Sequence, residues 1–272
     1  MLTGAITGYV DVAQLVLYGF WIFFAGLVFY LRREDKREGY PLESDRSDRS
    51  GRVSVVGFPG LPEPKEYLLP HGQGTHQLPQ EESYMGDIPG TTHTANWEGS
   101  PLAPTGDPMR DGVGPASYAE RQDIPDLALD GTPKIRPMRV ADDFMVEPSD
   151  PDPRGLAVVA ADGQVAGTVK DLWVDRAEPR ILYFEVELTS DASAEDEDEA
   201  ASDSNPLLPY GYARVKFGKR QIRVSSIMAD QFQHVPRTAS ADQITRLEEE
   251  RITAYFAGGH LYAEPSRQEP LI

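Results

Sequence analysis

Cysteine is missing altogether, so the chain has no disulfide framework, no thiolate nucleophile and no cysteine-ligated zinc or iron–sulfur site. Positive charge is scarce. Against 44 Asp+Glu stand only 26 Lys+Arg, and the formal net charge of -18 repels phosphate backbones, which argues against nucleic acid as a partner. Catalytic signatures are absent as well: there is no GxSxG elbow, no Walker loop and no HExxH. Gly72-Gln73-Gly74 lacks the preceding strand and third glycine of a dinucleotide site. The five histidines, His71, His76, His93, His234 and His260, are scattered, and His71 and His76, five apart, have no standard metal-ligand spacing. The residues thus read as a non-catalytic chain with no metal and no cofactor site of its own.

What the sequence has in abundance is one long apolar run. Val12 to Leu31 reads VAQLVLYGFWIFFAGLVFYL, twenty residues without a charge and with Gln14 as the only strongly polar side chain. At ~1.5 Å per residue such a helix spans about 30 Å, the thickness of a bilayer's hydrocarbon core. A cleaved signal peptide would carry its positive charges first and a shorter run. Here the order is reversed: Asp11 precedes the run, and Arg32, Arg33, Lys36 and Arg37 follow it. The positive-inside rule then predicts a single-pass protein with residues 1–11 in the periplasm and the bulk in the cytoplasm. Tyr9, Tyr30, Arg32 and Arg33 are the expected membrane-interface residues. Gly19 and Gly26 share a helix face on which a neighbouring helix could approach closely.

Beyond the span the composition changes twice. Residues 32–133 are rich in proline and glycine, with PGLPEPKEYLLPHGQG at Pro59–Gly74, and keep no helical or alternating period. Recurrent Leu, Tyr and Trp97 argue against pure disorder, so this part is expected to lie extended along a partner's surface. Residues 134–239 carry short runs rich in β-branched and aromatic residues. LAVVAA (156–161) meets QVAGTVKDLWVD (164–175) through Asp162-Gly163, a hairpin signal. RILYFEVEL (180–188), YARVKF (212–217) and QIRVSSI (221–227) follow, the last two joined by Gly218-Lys219-Arg220. Five such strands predict a mainly β domain, a small antiparallel barrel. Its loop at 190–205 holds seven acids and reads as a solvated, disordered segment. Residues 240–272 form a C-terminal helix and tail. Ser240 to Gln243 reads as a capping box, Ile244, Leu247, Ile252, Tyr255 and Phe256 as a buried stripe, Glu248-Glu249-Glu250 as a solvated face, and Gly258-Gly259 as the end.

Several blocks carry a resemblance. YGFWIFFAGLVFYLRREDKREGYPLE at 18–43, LLPHGQGT at 68–75, APTGDPMRDGVGPASY at 103–118, KIRPM at 134–138, VKDLWVD at 169–175 and LEEERITAYFAGGHLYAEP at 247–265 resemble, in order, the H subunit of the purple-bacterial photosynthetic reaction centre. The likeness spans nearly the whole chain. It implies that the β domain is a PRC-barrel in a bacterial inner (intracytoplasmic) membrane protein. It implies L and M chains as partners, holding bacteriochlorophyll, bacteriopheophytin, quinones and a non-haem iron. A cytochrome subunit, a light-harvesting antenna and lipid are further candidate partners.

The resemblance also implies a role in supplying protons to the secondary quinone during light-driven quinone reduction. Protons cross a low-dielectric layer only along groups whose pKa values permit exchange. Matched position by position, Asp175 and Glu178 in WVDRAE fall on two carboxylates that the family places near this route. Without the resemblance, DRAEP reads as an ordinary polar turn. The family's familiar members carry two histidines ahead of KIRPM, where this chain has Asp130 and Thr132. Asp130 is then the candidate at the outer end, a poorer donor at neutral pH than histidine. Two other classes compete: a membrane-anchored PRC-barrel adaptor unrelated to photosynthesis, and a soluble PRC-type RNA-maturation factor, which the charge and the span oppose.

Overall fold

The computed structural model describes residues 4–40, 42–43, 54–79, 88–97, 100–189 and 204–268. It divides into two compact units, Met1–Gly86 with Thr94–Pro101 and Asp87–His93 with Leu102–Ile272. The acidic loop expected at 190–205 lies outside the described residues except for its last two.

In the first unit, α1 runs Val12–Glu34, 23 residues, or about 35 Å. Its most apolar 18-residue stretch has a mean hydropathy of 2.0, and every residue from Val12 to Arg32 is exposed, so the helix is long and apolar enough to cross a membrane. Asp11 caps it: its carboxylate accepts the Gln14 N–H at 2.8 Å, and the Gln14 amide oxygen accepts the Asp11 N–H at 3.3 Å. The one strongly polar residue of the run therefore closes a capping box and satisfies N–H groups that hydrocarbon could not.

Of the four cations that follow the apolar run, the last two are buried. Lys36 and Arg37 are 4% and 8% exposed. Lys36 Nζ donates to the carbonyls of Val56 and Pro59 at 2.5 Å each. Arg37 donates to those of Glu63 and Leu78 at 2.8 and 3.0 Å, and to the Glu34 carboxylate at 2.8 and 3.0 Å. A proline-rich stretch has few N–H groups with which to pair its own carbonyls, and these cations supply the donors. Around them lie two short antiparallel pairs, β1 (Leu42–Glu43) with β2 (Ser54–Val55) and β3 (Lys65–Leu68) with β4 (Thr75–Leu78).

The second unit opens with another short pair, β5 (Thr91–His93) and β6 (Leu102–Pro104). Its main sheet contains β7 (Ile135–Pro137), β8 (Ala157–Val159), β9 (Val165–Asp175), β10 (Arg180–Leu188), β11 (Leu207–Pro209), β12 (Ala213–Lys216) and β13 (Gln221–Val224). The order is β11-β10-β9-β8-β13-β12, with β7 also on β9. All pairings are antiparallel except β13 with β8. The edges β11 and β12 do not pair among the described residues, so the barrel expected from sequence is an open, curled sheet with one parallel junction. The Asp162-Gly163 hairpin forms as its residues dictate, with Gly163 at φ +82° and the Asp162 carboxylate accepting the Gln164 N–H at 2.9 Å. At the β12–β13 turn the left-handed position falls on Arg220 (φ +49°), not on Gly218.

α2 spans Arg246–Tyr262 and covers one face of this sheet. Phe184, Leu172, Ile222, Phe232, Ile252 and Phe256 are at most 1% exposed in a shared core. Each such side chain contributes about 1.5–3 kcal/mol by burial. Three sequence expectations about α2 need correction. The box that caps it is Thr245 with Glu248, not Ser240 with Gln243. Gly258 and Gly259 do not end it. A Cβ on Gly258 would sit 2.6 Å from the Ala116 Cβ, and one on Gly259 2.4 Å from the Ile227 side chain and 2.6 Å from the Ser226 carbonyl. These glycines are places of close approach. Nor is Glu248-Glu249-Glu250 a solvated face, since Glu248 is 9% exposed and Glu249 and Glu250 are half-buried.

Candidate functional site

The turn after β9 is organised by its last residue. Asp175 is 1% exposed, and one carboxylate oxygen accepts the N–H groups of Ala177 and Glu178 at 2.9 and 3.0 Å. This is the side-chain turn that Asp at such a position favours. The other oxygen lies 3.4 Å from Lys134 Nζ, which also stands 3.8 Å from Asp126. Asp126 in turn accepts from Arg246 of α2 at 2.8 Å. Burial would push the Asp126 carboxyl up, but the Arg246 hydrogen bond and charge, with Lys134, outweigh it and leave it below its ordinary value.

Asp126, Lys134 and Asp175 line a cleft of ≈ 780 Å³, together with Tyr183 of β10, Tyr210 and Glu249 of α2. Tyr183 is 5% exposed, and its hydroxyl donates to the Glu249 carboxylate at 3.1 Å. Burial pushes the Tyr183 phenol well above its usual range, and burial likewise raises Glu249. The sequence reading missed Asp126, Lys134, Tyr183 and Glu249. One signal was available: Glu249, Ile252 and Phe256 stand at i, i+3 and i+7, so this acid shares the buried face of its helix.

The other named carboxylates lie outside the cleft lining. Glu178 is exposed, 3.4 Å from Arg180, and is tied to Asp175 only through its backbone N–H. Asp130 accepts from the Thr132 N–H and hydroxyl at 3.0 and 2.7 Å and from Arg176 at 3.2 Å. Those bonds, the Thr132 N–H first, bring it down to about 2. Arg176 also donates to the Thr132 hydroxyl and thereby pins this loop to the β9 turn. At neutral pH Asp130 is an ionised tether that holds no proton. Of the expected interface residues, Tyr9 is 94% and Tyr30 53% exposed, Arg32 lies 3.5 Å from Asp35, and Arg33 is half-buried.

A second charged cluster sits on the strands β9 and β10. Asp171 and Glu185, 5% and 4% exposed, share Arg139 at 3.1 and 2.6 Å. Glu185 also accepts from the Trp173 indole at 3.1 Å and the Asn205 amide at 2.8 Å. Arg139 reaches on to the Ala241 carbonyl and Asp242, joining the sheet to the segment that enters α2.

Residues 145–231 match the PRC-barrel domain, so the sheet and the membrane-length helix together define a membrane-anchored PRC-barrel protein. Residues 4–140, half of the chain, match the photosynthetic reaction centre, H-chain N-terminal region. The chain belongs to the reaction-centre H-chain family, which implies association with the L and M chains and is consistent with a structural subunit that carries no cofactor itself. The two matched regions interlock. β7 comes from the first and pairs with β9 of the second. The cleft takes Asp126 and Lys134 from the H-chain region, Asp175 and Tyr183 from the PRC-barrel, and Glu249 from a helix outside both matches.

Proposed function

We propose that this chain caps the cytoplasmic face of the L and M core, with its N-terminus in the periplasm, and conducts protons toward the secondary quinone through Asp175 and Glu178. The observation that carries this reading is the placement of Asp175: a buried carboxylate facing a largely apolar cleft that also holds Asp126, Lys134 and Glu249 and whose walls come partly from the H-chain region. The PRC-barrel region alone would lack Asp126, Lys134 and Glu249, three of the charged groups on the cleft. Quinone reduction to quinol consumes two electrons and two protons, and the protons need a chain of groups and waters through buried protein. Asp175 fixes the turn, and through the turn it sets where the exposed Glu178 stands. The charge asymmetry around α1 supports the orientation, and the family supports a photosynthetic bacterial inner membrane.

The test is the second electron transfer to the secondary quinone, which is tied to protonation, measured by flash spectroscopy on intact reaction centres. Glu178→Gln and Asp175→Asn keep size and hydrogen-bonding capacity while removing the exchangeable acid. Each should slow the second transfer markedly and the first much less, with about 1.4 kcal/mol on the barrier for each tenfold loss. The pair should be less than additive, and an added small weak acid should restore part of the rate. An unchanged second transfer in the double variant would return DRAEP to an ordinary polar turn.

A further inference from the structure

Three carboxylates face the cleft, and two of them are paired with cations. Asp126 has Arg246 at 2.8 Å and Lys134 at 3.8 Å; Asp175 has Lys134 at 3.4 Å and two backbone N–H groups. Glu249 has no ion-pair partner among the described residues, and its polar contact there is the Tyr183 hydroxyl at 3.1 Å. We propose that the Glu249–Tyr183 pair is the proton-holding station of this cleft, loading a proton from water and releasing it along the route to the quinone. The proposal rests on the reading of the chain as a proton-conducting subunit and adds to it a residue on α2.

The chemistry of the pair suits this use. An ionised Glu249 accepts from the Tyr183 hydroxyl; a neutral Glu249 donates its own proton while the phenol oxygen accepts, so both protonation states keep the hydrogen bond. Loading transfers a proton from hydronium to the carboxylate and leaves water, and unloading passes it to the next base, with no electron moved. The surroundings favour the loaded form: burial raises Glu249 first, Tyr183 opposes, and the charges of Asp126 and Asp175 raise it while Lys134 lowers it. These groups come from every element around it: Tyr183 and Arg180 on β10, Asp175 on β9, Asp126 and Lys134 on the segment before β7, and Arg246 and Glu250 on α2 itself. Asp130, held at about 2, cannot store a proton at neutral pH, whereas burial moves Glu249 in the opposite direction.

The experiment uses intact reaction centres in light-minus-dark infrared difference spectroscopy across pH 5–9, with flash-induced proton uptake read by an indicator dye. Glu249→Gln should abolish a protonated-carboxyl C=O band that responds to quinone reduction and should lower proton uptake after the first flash. Tyr183→Phe should shift that band by removing its hydrogen bond but leave it present, a signature that a merely structural role would not give. If neither band nor uptake changes in Glu249→Gln while Asp175→Asn still slows the second electron transfer, the station is refuted and the route stands. If the band disappears in Glu249→Gln and uptake falls, yet Asp175→Asn and Glu178→Gln leave the second transfer untouched, the station stands and the route through the β9 turn is wrong.

Discussion

Arg139→Met should destabilise the second unit by about 3 kcal/mol. The variant keeps a flexible apolar side chain of similar length but leaves Asp171 and Glu185, whose side chains are 8% and 6% exposed, without the guanidinium that stands 3.1 and 2.6 Å away. Breaking a buried pair from one side costs roughly 3–5 kcal/mol, because a charge is left without compensation. Arg139 itself is 37% exposed, so water screens part of its attraction and the lower end applies. Lys170 approaches Glu185 only to 3.9 Å and is 51% exposed, which makes it a weak substitute. For a body of this size the loss corresponds to a Tm about 6–12 °C lower, read by differential scanning calorimetry of the purified complex. Adding Glu185→Gln to Arg139→Met should recover part of the loss, because one of the two stranded charges disappears while the indole can still donate to the new amide oxygen. A loss below about 1 kcal/mol, or strict additivity of the two changes, would refute the claim that Arg139 neutralises a coupled buried pair.

Gly259→Ala should cost about 1–2 kcal/mol by chemical denaturation, since overpacking against Ser226 and Ile227 at 2.6 and 2.4 Å exceeds the ~1 kcal/mol that alanine returns as a better helix former; a stabilised variant would show that the α2 contact is looser than described. Asp130→Asn tests the tether. Its folded pKa of about 2 lies below the unfolded value near 3.9, so the Asp130 contribution is present above about pH 4 and is lost as pH falls through 2. The stability deficit of the variant should therefore be constant from pH 5 to 8 and vanish toward pH 2, and a deficit that changes between pH 5 and 8 would contradict the ionised tether.

Those elements whose signal is periodic or compositional were legible in the sequence. The uncharged run marked α1 to within three residues at its C-terminal end, and alternation with Asp162-Gly163 marked β8 and β9. The strands β7 and β11 were not legible, because three residues ending in proline, Ile135–Pro137 and Leu207–Pro209, become strands only when β9 and β10 offer them an edge. Two successive capping-box patterns, Ser240 to Gln243 and Thr245 to Glu248, stand at the start of α2. Only the packing of Ile244 and Ile252 decides that Thr245, not Ser240, is where the helix begins. Asp175 could be named from its neighbours in sequence. Lys134, Tyr183 and Glu249, which give it a cleft to face, are brought there from 41 residues before and from up to 74 after by tertiary contacts that no local pattern encodes.

Lys36 and Arg37 bear on two properties of the chain at once. By the positive-inside rule all four cations after α1 would count together in setting which side of a membrane keeps the following segment. In the folded chain Lys36 and Arg37 are enclosed by the carbonyls of Val56, Pro59, Glu63 and Leu78, so two charges that would weigh in orienting the helix also hold together the fold beside it. The side preference of the helix and the packing beside it thus rest on the same two charges. A substitution that keeps positive charge but not reach or donor number, such as Arg37→Lys, would leave topology intact and still loosen the juxtamembrane unit.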